Sequence, residues 1–387
     1  MKLAVVADSY LHDPSTGING TQVQNYNLAS AFARQGIEVH YLAMTSDESR
    51  PDVEEYEGMS IHWLRPSGAL FGYLCENRAY LRILDELRPD ALYNRGRSAL
   101  TFAAARWAKD NGARFVWGSN GEDSCEFFKR LDRLRRSGRP LWKKAAHLPH
   151  ELLLDLLIHR GIRGAHTVIN QTEHQRQRLK ENYGKDGILL SSYILPPAEQ
   201  HIKKGRHVLW LANLSTAKQP EVFLRLAEKC LDFNEWIFIL GGGSSNKSYE
   251  ETICKQAGAL KNVQVLGTVP FDESFDHYRS AMLFVNTSES YADGLPNAFL
   301  QSWLHEVPVA SLHHDPNNWI ASYGLGFYAK GDEHALMEWV RQALADEQEL
   351  REMGRRSRAF AEQEFSSQHT IYAYLRLFSR EEGKISP

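Results

Sequence analysis

The sequence predicts an α/β protein made of two doubly wound domains of similar size. Its 387 residues exceed what one hydrophobic core usually organises. Short apolar runs alternate with longer amphipathic segments from end to end, the pattern of strand–helix–strand units whose parallel sheet is covered on both faces. Pro196-Pro197 then opens a polar, lysine-bearing stretch up to Arg206 that splits the alternation into two series and reads as a linker.

Leu3–Ala7 is the first expected strand, and the Gly/Asn/Ser/Thr-rich stretch 13–21 its loop. Leu28, Ala31 and Phe32 stand at i, i+3 and i+4 of a helix that stops at Gly36, before a strand at Glu38–Ala43. Strands follow near 60–64 and at Ala91–Asn94, Arg114–Gly118 and His166–Asn170, with helices near 77–88 and 99–111 and two helical stretches before the last strand. A first domain over 1–197 results. The second series has strands at Val208–Ala212, Trp236–Leu240, Val263–Leu266, Leu283–Asn286 and Val309–Leu312, with helices at 219–231 and 248–259, and gives a second domain over 206–365. From about 332 to 380 the chain is helix-forming, with an apolar face of Leu350, Met353, Phe360, Phe365, Tyr372, Leu375 and Phe378. Its last part, about 366–387, is expected to pack back on the first domain, with Gly383–Pro387 frayed.

Composition narrows the function classes. Hydrophobic residues at 43% and charged residues at 24% are ordinary globular usage, and a net charge of -3 argues against a nucleic-acid partner. Cys75, Cys125, Cys230 and Cys254 show no CxxC spacing, so a zinc ribbon, a redox pair and a disulfide framework are not expected. The apolar start at Met1–Asp8 is too short for a signal-peptide core, and no run of 18 apolar residues occurs. A cytoplasmic protein is the expectation, peripheral at the inner membrane surface if the basic stretch from Lys129 to Lys144 serves that end. That stretch holds eight basic residues and one acid, Asp132, interleaved with Leu131, Leu134, Leu141 and Trp142. It reads either as a membrane-surface patch or as a solvated helix and loop.

The most informative segment runs from Phe284 to Trp303. A buried strand ends at Asn286, a polar loop crosses the carboxyl edge of the sheet, and a helix begins near Pro296. Gly294 permits close backbone approach, Pro296 suits a first helical turn, and amides at a helix start favour an anion such as a diphosphate. Asp293 and Gln301 lie eight residues apart, about two turns if both are helical, and so reach opposite ends of one elongated ligand.

At Asp293-Gly-Leu-Pro-Asn297 and Gln301 the sequence resembles the group 1 family of retaining, nucleotide-sugar-dependent glycosyltransferases, whose hallmark is Glu-x7-Glu around Gly-(Leu/Phe)-Pro-Asn. The resemblance covers nearly the whole chain. Val208–Lys218 is similar to the family's strand and phosphate loop, Asn262–Val269 to the segment facing the nucleotide base, and Gly324–Phe327 and the tail from Met353 to Phe365 fit as well. It implies the GT-B fold, two Rossmann-like domains facing across a cleft, and a sugar-nucleotide donor with no cofactor. Carried over, the donor residues are Gly20, Asn213, Lys218, Thr268, Val269, Asp293, Gly294, Leu295, Pro296, Asn297 and Gln301. Of these Asp293 takes the transferred sugar, Gln301 the ribose, and Asn213 and Lys218 the diphosphate. Asp293 is a shorter carboxylate than the usual glutamate, Gln301 lacks its charge, and Asn213 replaces an arginine.

In the first domain Gly17-Ile-Asn-Gly20-Thr-Gln22 occupies the place of the family's Gly-Gly loop, with Gly17, Asn19 and Thr21 on the acceptor side. Trp117–Asp123 falls where many relatives carry an active-site histidine. This chain has none; either Asn120, Glu122 or Asp123 contacts sugar or acceptor, or Asn120 or Asp123 caps a helix. Asp293, Lys218 and Asn120 are the expected catalytic set. No Asp-x-Asp occurs, and adjacent His313 and His314 rarely converge on one ion, so no metal is expected. The implied activity is transfer of a hexose to a glycan, lipid-linked saccharide or small glycoside in polysaccharide biosynthesis. A nucleotide-sugar-binding protein with little turnover and a nucleotide-sugar epimerase remain as alternatives.

Overall fold

The computed structural model describes residues 1–16, 19–67, 72–195, 203–290 and 293–379. The chain divides into two compact units, Met1–Leu195 joined by the segment from Ser367 onward, and Pro196–Ser366.

The first unit begins with β1 (Lys2–Val6), α1 (Gly20–Arg34), β2 (Glu38–Met44), β3 (Val53–Tyr56) and β4 (Met59–Leu64). It continues through α2 (Tyr73–Leu87), β5 (Ala91–Arg95), α3 (Ala99–Asn111) and β6 (Arg114–Gly118). A 3-10 turn at Glu122–Cys125 precedes α4 (Lys129–Arg136), α5 (Leu141–Gly164), β7 (Thr167–Asn170), α6 (Glu173–Tyr183) and β8 (Ile188–Leu189). The strands form one sheet in the order β3-β4-β2-β1-β5-β6-β7-β8, parallel except for the β3–β4 hairpin. Central β1 pairs on both sides, Val5 opposite Tyr41 and Tyr93, and is buried along its length from Leu3, which is why it reads as an unbroken apolar run. Leu92, Phe115 and Trp117 pack under Leu100, Ala104 and Ala108 of α3.

The second unit contains β9 (His207–Leu211), α7 (Pro220–Lys229), β10 (Ile237–Gly241), α8 (Lys247–Gly258), β11 (Val263–Gly267), α9 (Phe271–Ser280) and β12 (Leu283–Asn286). Then come α10 (Asn297–Leu304), β13 (Val309–Ser311), α11 (Trp319–Tyr323), β14 (Gly326–Tyr328), α12 (Glu333–Ala345) and α13 (Glu347–Phe365). Its sheet is wholly parallel, in the order β11-β10-β9-β12-β13-β14. Both units are Rossmann-like.

The last described helix, α14 (Gln368–Phe378), belongs to the first unit. Phe378 meets Phe32 of α1 edge-on at 5.5 Å and Tyr93 of β5 at 6.0 Å, and Arg114 Nε donates to the Leu377 carbonyl at 2.8 Å. Ser367 starts this helix by accepting from the Thr370 amide. The expected packing of this segment on the first domain is therefore observed over its described part, and residues 383–387 lie outside the described residues.

Candidate functional site

Counted from β9, the second sheet runs 3-2-1-4-5-6, so the winding reverses between β9 and β12. Ligands of such sheets bind beyond the carboxyl ends of the strands at that reversal. The chain leaving β9 carries Lys218, and the chain leaving β12 carries Asp293.

These two side chains meet. Lys218 Nζ lies 2.6 Å from Asp293 Oδ1 and 2.5 Å from Oδ2, with the side chains 22% and 18% exposed. The lysine turn is tied to the core from beneath. The Thr287 hydroxyl accepts from Trp210 Nε1 at 2.9 Å and donates to the Lys218 carbonyl at 2.7 Å. The Glu289 amide donates to the Ala217 carbonyl at 2.8 Å, and Gln219 Nε2 to Glu289 Oε1 at 2.6 Å. Gln219 itself is held at φ 48°, a left-handed conformation that costs a non-glycine residue roughly 1–3 kcal/mol, before Pro220 starts α7.

Burial, the largest single influence on Asp293, pushes its pKa up. The Lys218 ammonium beside it, the nearby His314 and a hydrogen bond from Ser288 act together against burial and hold the carboxyl below its ordinary value. His314 is fixed by its Nε2, which donates to the Glu289 carbonyl at 2.9 Å. Asp315 accepts from the Ile320 and Ala321 amides at 2.7 and 3.2 Å and so caps α11.

Three loops lie side by side at the carboxyl ends of β9, β10 and β11. β10 ends in Gly241-Gly242-Gly243, and Gly242 has φ 143°, where a Cβ would overlap the Ala212 carbonyl oxygen. A Cβ on Gly243 would overlap Thr268 Oγ1, and one on Gly241 would crowd Val269 Cγ2 at 3.3 Å. Leu214 N donates to the Gly243 carbonyl at 2.9 Å, and Gly242 N to that of Gly267 at 2.7 Å. The glycines thus bring exposed Asn213 and Thr268 together from two different strand ends. The sequence reading missed this glycine run, whose signal was its position directly behind the apolar strand Ile237–Leu240.

Two expectations about α10 need correction. Pro296 has φ -65° and ψ 126°, so it remains extended outside the helix, and Asn297 is the first helical residue. A proline ring fixes φ at a value common to helix and extended chain, and ψ here chose the latter. Asp293 consequently sits on the loop, and the two-turn spacing to Gln301 does not apply. Gly294, Leu295 and Pro296 are buried, Asn297 is half-buried, and Gln301 is 5% exposed with its carbonyl accepting from His305 Nδ1 at 2.7 Å.

In the first unit the expected residues fall into two groups. Asn19 is the N-cap of α1, accepting from the Thr21 and Gln22 amides at 3.0 and 3.1 Å, and Gly20 is the first helical residue. Thr21 is joined to Asn120, whose Nδ2 donates to Thr21 Oγ1 at 2.7 Å. Gly17 lies outside the described residues. Glu122 and Asp123 do not join that contact: Glu122 accepts from Thr172 Oγ1 at 2.9 Å and pairs with His174 at 2.6 Å, and Asp123 pairs with Lys129 at 2.5 Å. Helix capping by Asn120 or Asp123 is not observed either, because Gly121 precedes the 3-10 turn. Among the described residues no group of three His, Cys, Asp or Glu is placed to hold a metal ion.

Residues 18–188 match the family described as Glycosyltransferase Family 4, and residues 195–360 match Glycosyl transferases group 1. No curated protein matches the chain. Among solved structures, the chain is similar to sucrose-phosphate synthase from Thermosynechococcus elongatus, at 13% identity over 97% of this chain and 98% of that one, with a TM-score of 0.72. It is similar also to HepE from Anabaena in complex with UDP, at 14% identity over 97% and 99% with a TM-score of 0.71. A third is a mutant of TarM from S. aureus in complex with fondaparinux, alpha-GlcNAc-glycerol and UDP, at 11% identity over 98% and 100% with a TM-score of 0.70. At such identities the likeness is one of fold.

Proposed function

Because this chain belongs to the group 1 glycosyltransferases, we propose that it moves a hexosyl group from a nucleoside diphosphate sugar to a hydroxyl of a glycan, lipid-linked saccharide or small glycoside, with retention and without a metal ion or cofactor. The observation that carries this reading is the Lys218–Asp293 pair at the reversal point of the second sheet. With no donor bound, each side chain neutralises the other. A diphosphate draws the Lys218 ammonium to itself, and Asp293, released, accepts a hydrogen bond from a hydroxyl of the sugar. Negative charge gathers on the diphosphate as the glycosidic bond breaks, so a cation set there before the reaction stabilises the transition state more than the ground state. Thr268 and Val269 are assigned to the base, Gln301 to the ribose, and Asn213 to the phosphates as a neutral donor. The acceptor is assigned to the first unit, where Thr21 and Asn120 meet. Polysaccharide biosynthesis in the cytoplasm is the setting this chemistry suits.

The UDP held by the HepE and TarM structures makes uridine nucleotides the first to test. Thermal-shift measurements with uridine, guanosine and thymidine diphosphates should give a rise for one base. Silence with all three would sink the donor-site assignment. With the responding base, incubation with its sugar nucleotides should release nucleoside diphosphate in the presence of chelator, and proton NMR of the product should show the donor's anomeric configuration.

A further inference from the structure

We propose that the hairpin formed by α4 and α5 is a docking element for the surface of an anionic phospholipid bilayer. The inference is independent of the donor site and concerns side chains that take no part in it.

The first unit holds only half of α5. Leu154, Asp155, Ile158, Gly161 and Ile162 are buried, and Gly161 lies so close to α3 that a Cβ there would come within 2.6 Å of the Phe102 amide nitrogen. No residue from Leu141 to Leu153 is buried. At about 100° per residue, Leu141, Ala145, Leu148, Leu152 and Leu156 fall within one stripe about 80° wide, centred about 120° around the helix from Leu154, Ile158 and Ile162. All five are exposed, Leu141 by 84%, and Trp142 beside them is exposed by 68%. An amphipathic helix packed on a globular unit turns its apolar stripe inward, whereas this one carries a second stripe outward. A contiguous exposed apolar face of this kind marks a contact with something else.

The charges beside the stripe identify that contact. Lys129, Arg130 and Arg136 are paired with Asp123, Glu151 and Asp132. Arg133, Arg135, Arg139, Lys143 and Lys144 form no ion pair with a carboxylate among the described residues. Lys143 Nζ stands 5.3 Å from the centre of the Trp142 ring, and Lys144 Nζ donates to the Arg135 carbonyl at 2.7 Å, which ties the cations of both helices to the same end. The hairpin is also fixed in place. Fully buried Asp155 accepts from the Arg130 and Leu131 amides at 3.0 Å and from Arg97 at 3.2 Å, so α4 is anchored through α5 to the unit.

Uncompensated cations bordering an exposed leucine stripe with a tryptophan at its edge match a layer that is anionic at its surface and apolar a few ångströms below. A second copy of this chain matches poorly, because an isologous contact through the stripe would set these cations against their own copies.

The test is co-sedimentation of the full chain with vesicles of phosphatidylglycerol and phosphatidylcholine in equal parts, against vesicles of phosphatidylcholine alone, at physiological ionic strength. Partition should strongly favour the anionic vesicles. Neutralising two cations, Arg133→Gln with Arg135→Gln, should lower that partition by about 30-fold, and Trp142→Ser with Leu148→Ser by at least about tenfold. Both double variants alter exposed side chains and should keep the wild-type melting temperature and nucleotide response. Equal partition onto neutral vesicles, absence of binding to anionic ones, or variants that bind as wild type would overturn the proposal. So would a concentration-dependent dimer in sedimentation velocity that Leu148→Ser with Leu152→Ser abolishes, since a second copy would then cover the face.

Discussion

Lys218 and Asp293 are 75 residues apart in the chain and within 2.6 Å in space, so each is set by the other before any ligand arrives. Lys218→Ala removes the cation that faces the diphosphate. A charge-assisted hydrogen bond contributes roughly 1.5–3 kcal/mol, so kcat/KM should fall by roughly ten- to hundredfold, read from initial rates of nucleotide release. Wild-type turnover in that variant would refute the role assigned to the lysine. The same pair makes a prediction about acid. The pKa of Asp293 lies below its ordinary 3.8 in the folded state. Its contribution to stability is thus complete above that value and is lost as pH falls through the depressed one. Urea unfolding from about pH 5 to about pH 3 should show this slope in wild type and a shallower one in Asp293→Asn. At this scale the sequence was a partial guide. Motif register marked Lys218, Asp293 and Gln301 as site residues, but the pairing of the first two depends on where two loops cross, which no local pattern encodes. The same limit explains Glu122 and Asp123, whose partners Thr172, His174 and Lys129 come from other segments.

Most strands were legible where they are buried, and β11 was legible from its valines and leucine with no fully buried residue. The central strands β1, β2, β5, β6, β9, β10 and β12 appear as apolar runs because sheet covers them on both sides and helices on both faces. β3, β8 and β14 have no fully buried residue and so carry no such run. Helix α6 was missed for a similar reason: only Gln175, Leu179 and Tyr183 are buried in a sequence otherwise charged and polar. The glycines make sharper predictions. Gly242→Ala places a side chain at φ 143° and against the Ala212 carbonyl. The backbone strain alone should cost roughly 1–3 kcal/mol of stability by urea titration, and displacement of the 212–214 loop should abolish the thermal shift with nucleotide. Gly161→Ala presses on backbone atoms of α3 at 2.6 Å and should cost roughly 1–3 kcal/mol in the same titration while leaving nucleotide binding intact. Equal loss of nucleotide response in both variants would contradict the placement of the donor site in the second unit.

On the scale of the molecule, each unit carries a buried histidine that the fold keeps neutral. Burial, aided by neighbouring His40, lowers the pKa of His62 to about 4, and burial outweighs the hydrogen bond to Gln301 to bring His305 to about 4. Both take up a proton on unfolding at any pH between about 4 and the ordinary 6.5, so stability should decline steadily as pH falls through that interval. Calorimetry should show His62→Gln flattening the decline for the unit that contains β4, and His305→Gln for the other. The two-unit organisation was plain in the sequence because a proline pair and a polar stretch bearing Lys203 and Lys204 interrupt the strand–helix rhythm. That the first unit owns α14 was legible only as an apolar face lacking a partner nearby in the chain.

That helix imposes an order on biogenesis. A ribosome finishes β8 and then makes the entire second unit before it reaches Gln368. Until then Phe32 and Tyr93 lack the ring of Phe378, Arg114 lacks the Leu377 carbonyl, and Ser191 lacks the Tyr374 hydroxyl that donates to its carbonyl at 2.9 Å. The nascent first unit therefore passes through synthesis of the second with an apolar patch bare. Its final consolidation waits until the chain beyond the second unit has been made.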